Sequence, residues 1–323
     1  MNGRQAAFVT GASGFIGRTL VERLLASGHG VTVLARDHTE TFPAGVAIRV
    51  GDLATGDGLS SDLLDEVDVL FHCAGELRRT HLMRPVHVDG TRRLLDGLAR
   101  SGARRTTPLH WVQLSSVGAY GPPPAGVRGR RVDEESPENP VGEYETTKTE
   151  SDRLVVQAAS QRLITHAILR PANVVGARMP NPYVRRFADM VRRGWFVYIG
   201  ASGAMTNYVH VDDVATALQL CASHRQATGQ VFNISSDCPL EEVVEIIART
   251  LGVRSPRVRV PERLARLAVR TLGGLVALPL TAARIDALVN RTHYPSTKIE
   301  TALSFRFSRP MPAGIEDVMV SRA

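Results

Sequence analysis

Short apolar runs and amphipathic stretches alternate along the first half of the chain. The runs Ala6–Thr10, Val31–Ala35, Val46–Val50, Val67–Cys73, His110–Leu114 and Thr165–Leu169 are rich in Val, Ile and Leu, as strands buried on both faces should be. Between them, Thr19–Leu25 is amphipathic at helical spacing, and Gly90–Leu98 sets Thr91, Leu94, Leu95 and Leu98 on one face. Gly28 marks the stop of the first helix. This alternation predicts βαβ units wound right-handed into a parallel sheet.

After Gly176 the alternation weakens. The pattern still predicts a basic amphipathic helix over Asn181–Gly194, a helix from Asp212 and a helix over Glu241–Leu251. Gln230–Ile234 reads as a strand returning to the first sheet, and Arg254–Val260 as a short exposed strand. Pro261–Leu280 is apolar with Arg263, Arg266 and Arg270 on one side. It fits a helix over a substrate cleft or one lying on a membrane surface. The chain thus divides into a first domain, residues 1–176, joined by 230–234, and a smaller lobe, residues 177–323.

Composition narrows the function classes. With 43% hydrophobic and 22% charged residues in 323, the chain is of ordinary globular type, not collagen, coiled coil or a disordered tail. Aromatics at 5% leave little for stacking on bases, and the net charge of +7 is scattered rather than striped. That argues against a nucleic-acid partner and for a small anionic ligand. Cys73, Cys221 and Cys238 show no CxxC spacing, so no metal site is expected and reduced thiols of a cytoplasmic protein are. Met1–Ala7 lacks an apolar signal core, and no run of about 18 apolar residues offers a membrane span.

The first strand runs into Thr10-Gly11-Ala12-Ser13-Gly14-Phe15-Ile16-Gly17, which opens the first helix. Gly11 permits a tight turn, Gly14 lets backbone approach a pyrophosphate, and Gly17 allows close helix–strand packing. The helix N-terminus faces the anion. With a strand before and a helix after, this is the context a dinucleotide fingerprint requires. The second strand ends at Ala35, followed by Arg36 and Asp37. Alanine cannot serve a ribose 2′-hydroxyl, whereas arginine can clamp a 2′-phosphate, so NADP is expected ahead of NAD. The alternative is a solvated Arg36 with Asp37 on the ribose.

Tyr144 and Lys148 stand at i and i+4 on one helix face. Two of the 39 basic residues are lysines, Lys148 and Lys298, so this spacing is seldom met by chance. A phenol is a poor acid–base catalyst near neutrality, and a neighbouring ammonium draws its pKa down.

With these residues in place, the sequence resembles the short-chain dehydrogenase/reductase superfamily, in its extended branch of NAD-dependent epimerase/dehydratases. The resemblance covers nearly the whole chain. It rests on Gly11/Gly14/Gly17, Gly51-Asp52-Leu53, His72-Cys73-Ala74-Gly75, Val88-Asp89-Gly90-Thr91, Leu114–Gly121, Tyr144/Lys148, Leu169-Arg170-Pro171 and Val209–Asp213. It implies an α/β, Rossmann-type doubly wound parallel sheet with a smaller C-terminal substrate-binding lobe, and a homodimer as the family tendency. It implies Ser116, Tyr144 and Lys148 as catalytic residues. Ser116 would hydrogen-bond the reacting oxygen, Tyr144 would move the proton, and Lys148 would hold the nicotinamide ribose and tune Tyr144.

The cofactor would be held by Gly11, Ser13, Gly14, Phe15, Ile16, Gly17, Arg36, Asp52, Leu53, Ala74, Gly75, Pro171, Asn173 and Val174, together with Tyr144 and Lys148. Asp52 and Leu53 would meet the adenine, Ala74 and Gly75 the nicotinamide, and Pro171–Val174 the carboxamide. The expected reaction is hydride transfer at a secondary alcohol or ketone of a polar, sugar-like small molecule. A nucleotide-sugar epimerase with tightly held NAD and a non-catalytic NADP sensor are the alternatives.

Three departures from the family pattern bear on substrate. His87 replaces a common Asn, Thr206-Asn207 replaces an Arg-Asp that binds pyrophosphate in sugar-nucleotide enzymes, and Val117-Gly118 replace the Asp-Glu of dehydratases. Arg178, Arg185 and Arg186 remain as a second source of phosphate contacts. His72 and His210 read as packed structural residues, and His87 as a helix-packing residue or a member of a proton relay through water. Specificity is expected from Gly121–Glu135, Arg178–Ile199 and the C-terminal lobe.

Overall fold

The computed structural model describes residues 5–101, 107–124, 127, 129–179, 183–272 and 281–320. Asn181, with which the basic helix was expected to begin, and the 273–280 part of Pro261–Leu280 lie outside them. So do residues 125, 126 and 128 of the expected specificity segment.

Strands β1 (Ala6–Thr10), β2 (Gly30–Ala35), β3 (Val46–Val50), β4 (Val69–His72) and β5 (Leu109–Leu114) match the apolar runs, with helix α1 (Phe15–Ala26) between the first two. Gly28, at φ +79°, ends α1 as expected. One nearly continuous helical stretch joins β4 to β5. It comprises α2 (Thr80–Arg84), a π-turn (Pro85–Asp89) and α3 (Gly90–Arg100). Next come β6 (Gly129–Arg131), α4 (Glu143–Ser160), β7 (Ile164–Pro171), β8 (Asn173–Val175), α5 (Tyr183–Arg192), β9 (Tyr198–Ile199) and β10 (Met205–His210). The chain continues through α6 (Val211–Ser223), β11 (Gln230–Ile234), β12 (Ser236–Pro239), α7 (Leu240–Thr250), β13 (Arg259–Val260) and α8 (Glu262–Leu272). It closes with α9 (Ala282–Val289), β14 (Arg291–His293), α10 (Thr297–Ala302) and α11 (Gly314–Val320).

Seven strands form the central sheet in the order β11-β7-β5-β4-β1-β2-β3, and every pairing is parallel. This is the doubly wound, Rossmann-type order, with β11 returning to the sheet from the later chain. The winding reverses between β1 and β4, so the loops after these two strands diverge and leave a crevice at their carboxyl ends. Apolar layers cover both faces. Leu20, Val21 and Leu24 of α1 pack with Val214 and Leu218 of α6 on one. Leu94, Leu95 and Leu98 of α3 pack with Trp111 and Val155 on the other.

A second core lies in the C-terminal part, where Val184 and Ala188 of α5 meet Val243, Val244 and Ile247 of α7 and Ile315 of α11. The expected strand within Arg254–Val260 shrinks to the two residues of β13, which pair with β9. The three cysteines are free thiols. No helix among the described residues is long and apolar enough to cross a membrane.

Candidate active site

The crevice is built where β1 and β4 end side by side. Gly11 adopts φ +66°, and a side-chain carbon there would sit 2.7 Å from backbone atoms of Cys73 and Ala74. A side chain at Gly17 would run into the Gly11 carbonyl at 2.1 Å. The two loops that carry Gly11–Gly17 and Ala74–Gly75 therefore touch through backbone alone. Helix α1 begins after Gly14 with no side-chain cap and no acidic residue in its first turn. Its leading N–H groups thus meet no capping side chain.

At the far end of this strip Arg36 is exposed, 3.9 Å from Glu40. The neighbouring Asp37 carboxylate accepts hydrogen bonds from the Thr39 amide and hydroxyl. Asp37 is thus engaged locally, while Arg36 keeps its fork turned to solvent. Asp52 accepts from the Ala54 amide at 2.7 Å, and the Leu53 carbonyl takes the Arg93 guanidinium at 2.7 Å. Leu53 lies against Gly90 of α3, where a side chain would meet it at 2.8 Å. On the other side, Pro171 ends β7, while Asn173 and Val174 open β8.

The opposite end of the crevice is closed and polar. Ser116 caps the turn Val117–Tyr120, its hydroxyl oxygen accepting from the Gly118 amide at 3.0 Å. Its own proton is left to give away. That turn packs on the start of α4, since a side chain at Gly118 would strike Glu145 at 2.7 Å. Tyr144 and Lys148 occupy successive turns of α4. Lys148 is 4% exposed and makes no side-chain hydrogen bond among the described residues.

Burial, then the carboxylates of Glu145 and Asp152, push the Tyr144 phenol up to about 12. This corrects the expectation that Lys148 draws it down. Lys148 is itself lowered by burial, partly offset by Asp152 and Cys73. In this state the tyrosine is a protonated acid.

Sequence reasoning missed what holds this end together. Asp152 continues the Tyr144/Lys148 face by one more turn and is 2% exposed. It accepts from Ser115 at 2.6 Å and from Arg170 at 3.2 Å. Arg170, 3% exposed, also pairs with Glu138 and stacks over the Tyr120 ring at 5.0 Å. The i, i+4, i+8 spacing was the available signal for Asp152. A second polar chain runs from Thr10 through His72 and Thr91 to Ser151 and Gln113. His72 is pressed well below its ordinary pKa, chiefly by burial, in keeping with a structural role.

The substrate side is also settled internally. The Thr206 hydroxyl donates to the Cys238 carbonyl, and Asn207 bonds Asp237, Thr292 and Asn290. Arg178 makes a paired contact with Glu22 at 2.7 and 2.8 Å, and Arg185 donates to the Ala177 carbonyl. No group of three or more potential metal ligands occurs among the described residues.

Fold and site together define an oxidoreductase of the dinucleotide-binding type. The model of the NAD dependent epimerase/dehydratase family matches residues 7–235, and the chain belongs to that family. It is similar to the 4-hydroxy-2-methyl-3-oxo-4-farnesyl-3,4-dihydroquinoline-1-oxide ketoreductase of Stigmatella aurantiaca, 28% identical over 87% of this chain and 84% of that protein. It is also similar to the dTDP-6-deoxy-L-talose 4-dehydrogenase (NAD(P)(+)) of Kitasatospora kifunensis, 31% identical over 78% and 81%. The structure of MoeE5 in complex with UDP-glucose and NAD shares the fold, with TM-score 0.72, 24% identity and 98% of each chain covered. The protein is therefore an NAD(P)-dependent enzyme.

Proposed function

We propose that this enzyme transfers hydride between NADP and a secondary alcohol or ketone carbon, in net oxidation or reduction. The observation that carries the reading is the single face of α4 presenting Tyr144 and Lys148 beneath the Ser116 turn. Residues 1–176 with 230–234 are read as the cofactor-binding part and 177–323 as the substrate-binding lobe.

The residues fit a dinucleotide. Gly11–Gly17 and the uncapped start of α1 suit its pyrophosphate, and Lys148 has a cation free for a ribose. Arg36 suits a 2′-phosphate, and the engagement of Asp37 by Thr39 weighs against a 2′-hydroxyl partner there. The cofactor supplies or accepts the hydride. Ser116 donates a hydrogen bond to the substrate oxygen, and Tyr144 delivers the proton that the oxygen needs as it becomes an alcohol. Elimination of water needs a further acid and base, and Val117-Gly118 supply neither.

The substrate is a small polar carbonyl compound or alcohol without a nucleotide handle, because Thr206 and Asn207 are spent on internal bonds. The test is a panel of nucleotide sugars, free sugars and small ketones with NADPH, followed by nicotinamide absorbance and product mass. Stoichiometric NADPH consumption with a product two hydrogens heavier is expected. A product lighter by one water, or a mass-neutral isomer with tightly retained NAD, would overturn it.

A further inference from the structure

His87 is buried, 1% exposed, and both ring nitrogens are in use. The Glu76 amide donates to Nε2 at 2.9 Å. A backbone amide can only donate, so Nε2 carries no proton and the neutral ring holds its hydrogen on Nδ1. Nδ1 lies 2.7 Å from the Thr147 hydroxyl. That hydroxyl gives its own proton to the Glu143 carbonyl at 2.7 Å and so receives the one from His87. The ring also stands edge-on to Tyr144, with centroids 5.6 Å apart and planes at 83°.

What delivers His87 to this place is the π-turn Pro85–Asp89, where the Gly90 amide reaches back to the Pro85 carbonyl. Single π-turns within α-helices often mark functional sites. This one interrupts the helical stretch between α2 and α3 at the residue that touches both walls of the crevice.

We propose that His87 is a positioning residue, a fixed-tautomer clamp that holds the Gly75–Glu76 loop and the Tyr144 turn of α4 in one rigid unit around the nicotinamide. The inference rests on the dinucleotide reading above. It excludes His87 from carrying protons, because protonating Nε2 would break the Glu76 bond and freeing Nδ1 would orphan Thr147. The pyrophosphate end has its own anchors in Gly11–Gly17, so the clamp governs the nicotinamide half alone.

Two ligands separate that role from a general structural one: NADPH, and 2′-phospho-ADP-ribose, which keeps the pyrophosphate and 2′-phosphate and lacks nicotinamide. NADH and ADP-ribose serve as a parallel pair. His87→Phe keeps a ring against Tyr144 and removes both hydrogen bonds. It should weaken NADPH about tenfold while leaving 2′-phospho-ADP-ribose within about twofold of wild type. His87→Gln, which retains one donor and one acceptor, should recover most of the loss. Thr147→Val removes the other half of the clamp and should repeat the pattern more mildly, and it decides the matter should His87→Phe not fold.

Equal weakening of both ligands, or of neither, would overturn the clamp. A wild type that binds neither pair would instead defeat the dinucleotide reading. Nitrogen NMR on the free enzyme gives an independent readout. An unprotonated Nε2 and slow exchange of the Glu76 amide, lost in His87→Phe, are expected, and a protonated Nε2 would sink the proposal.

Discussion

The two ends of the crevice are built on opposite plans. Around Gly11–Gly17 and Arg36 the ligand-facing groups are backbone amides and one exposed guanidinium, with few side chains tied to one another. Around Tyr144 and Lys148 the flanking polar side chains are locked by their neighbours, Asp152 with Ser115 and Arg170 on one side and His87 with Thr147 on the other. An anion can be held by donors that bend a little, because charge attracts over a distance. Proton transfer needs heavy atoms within hydrogen-bond reach of each other. At the open end the exposed Arg36 side chain can therefore be changed without loss of fold, whereas Gly11 and Gly17 and the buried Asp152–Arg170 pair cannot.

Tyr144→Phe should break the knit end most sharply in turnover. Removing one hydroxyl should cost about 10²- to 10⁴-fold in kcat while NADPH affinity stays near wild type. Near-wild-type turnover on a substrate found by the panel would refute the assignment. Asp152→Ala should strike stability instead. It leaves Arg170 buried with Glu138 as its one remaining carboxylate, and losing a partner of a buried pair costs about 3 kcal/mol or more. Urea unfolding would read this directly, and a midpoint within error of wild type would show the network to be dispensable.

Acid should separate the two ends as well. Burial, with the nearby Lys148 charge, lowers His87 to about 3, while Glu76 opposes weakly. The unfolded chain takes up a proton at this residue below about 6.5, and the folded chain does so only near 3. The stability His87 lends is therefore full above 6.5 and falls as pH drops through that window, by up to about 1.4 kcal/mol per pH unit. Between pH 7 and 5 the unfolding free energy of wild type should decline more steeply than that of His87→Gln. Parallel slopes would contradict the burial of a neutral ring. Glu76, held near 2 by the amide and guanidinium donors around it, does not titrate in this range.

The smallest effect belongs to the open end. Arg36→Ala should weaken NADPH about tenfold, the lower range for an exposed charge-assisted contact, and leave NADH binding and thermal stability unchanged. Equal NADPH and NADH affinities in the wild type would remove the case for a 2′-phosphate.

Legibility in the sequence follows the same divide. All seven strands of the central sheet are visible as runs rich in Val, Ile and Leu, because every one but the edge strand β3 buries most of its side chains. The glycine turn is visible because its backbone demands Gly11 and Gly17. The interlocking side chains are not, since pairs such as Ser115–Asp152 and His87–Thr147 are distant in sequence and each member alone reads as an ordinary polar residue. Arg170, a charge inside the apolar strand β7, hinted at a buried partner without naming one. At the junction with the lobe, β8, β10 and β12 are short and irregularly patterned, so their pairing had no periodic signal. The pairing of Arg178, expected as a phosphate contact, with Glu22 was likewise invisible to spacing, because Glu22 lies on α1, 156 residues earlier.

The return of β11 to the central sheet sets a timetable for synthesis. Its partner β7 is finished at Pro171, yet Gln230 lies 59 residues further on. At ribosomal rates of about 5–20 residues per second, that edge waits several seconds with its ladder of amides and carbonyls uncovered. The Ile168 and Leu169 side chains beside it are apolar, so the nascent chain offers a sticky rim until residue 234 emerges. Folding of this enzyme should accordingly depend on how fast the stretch between β7 and β11 is translated.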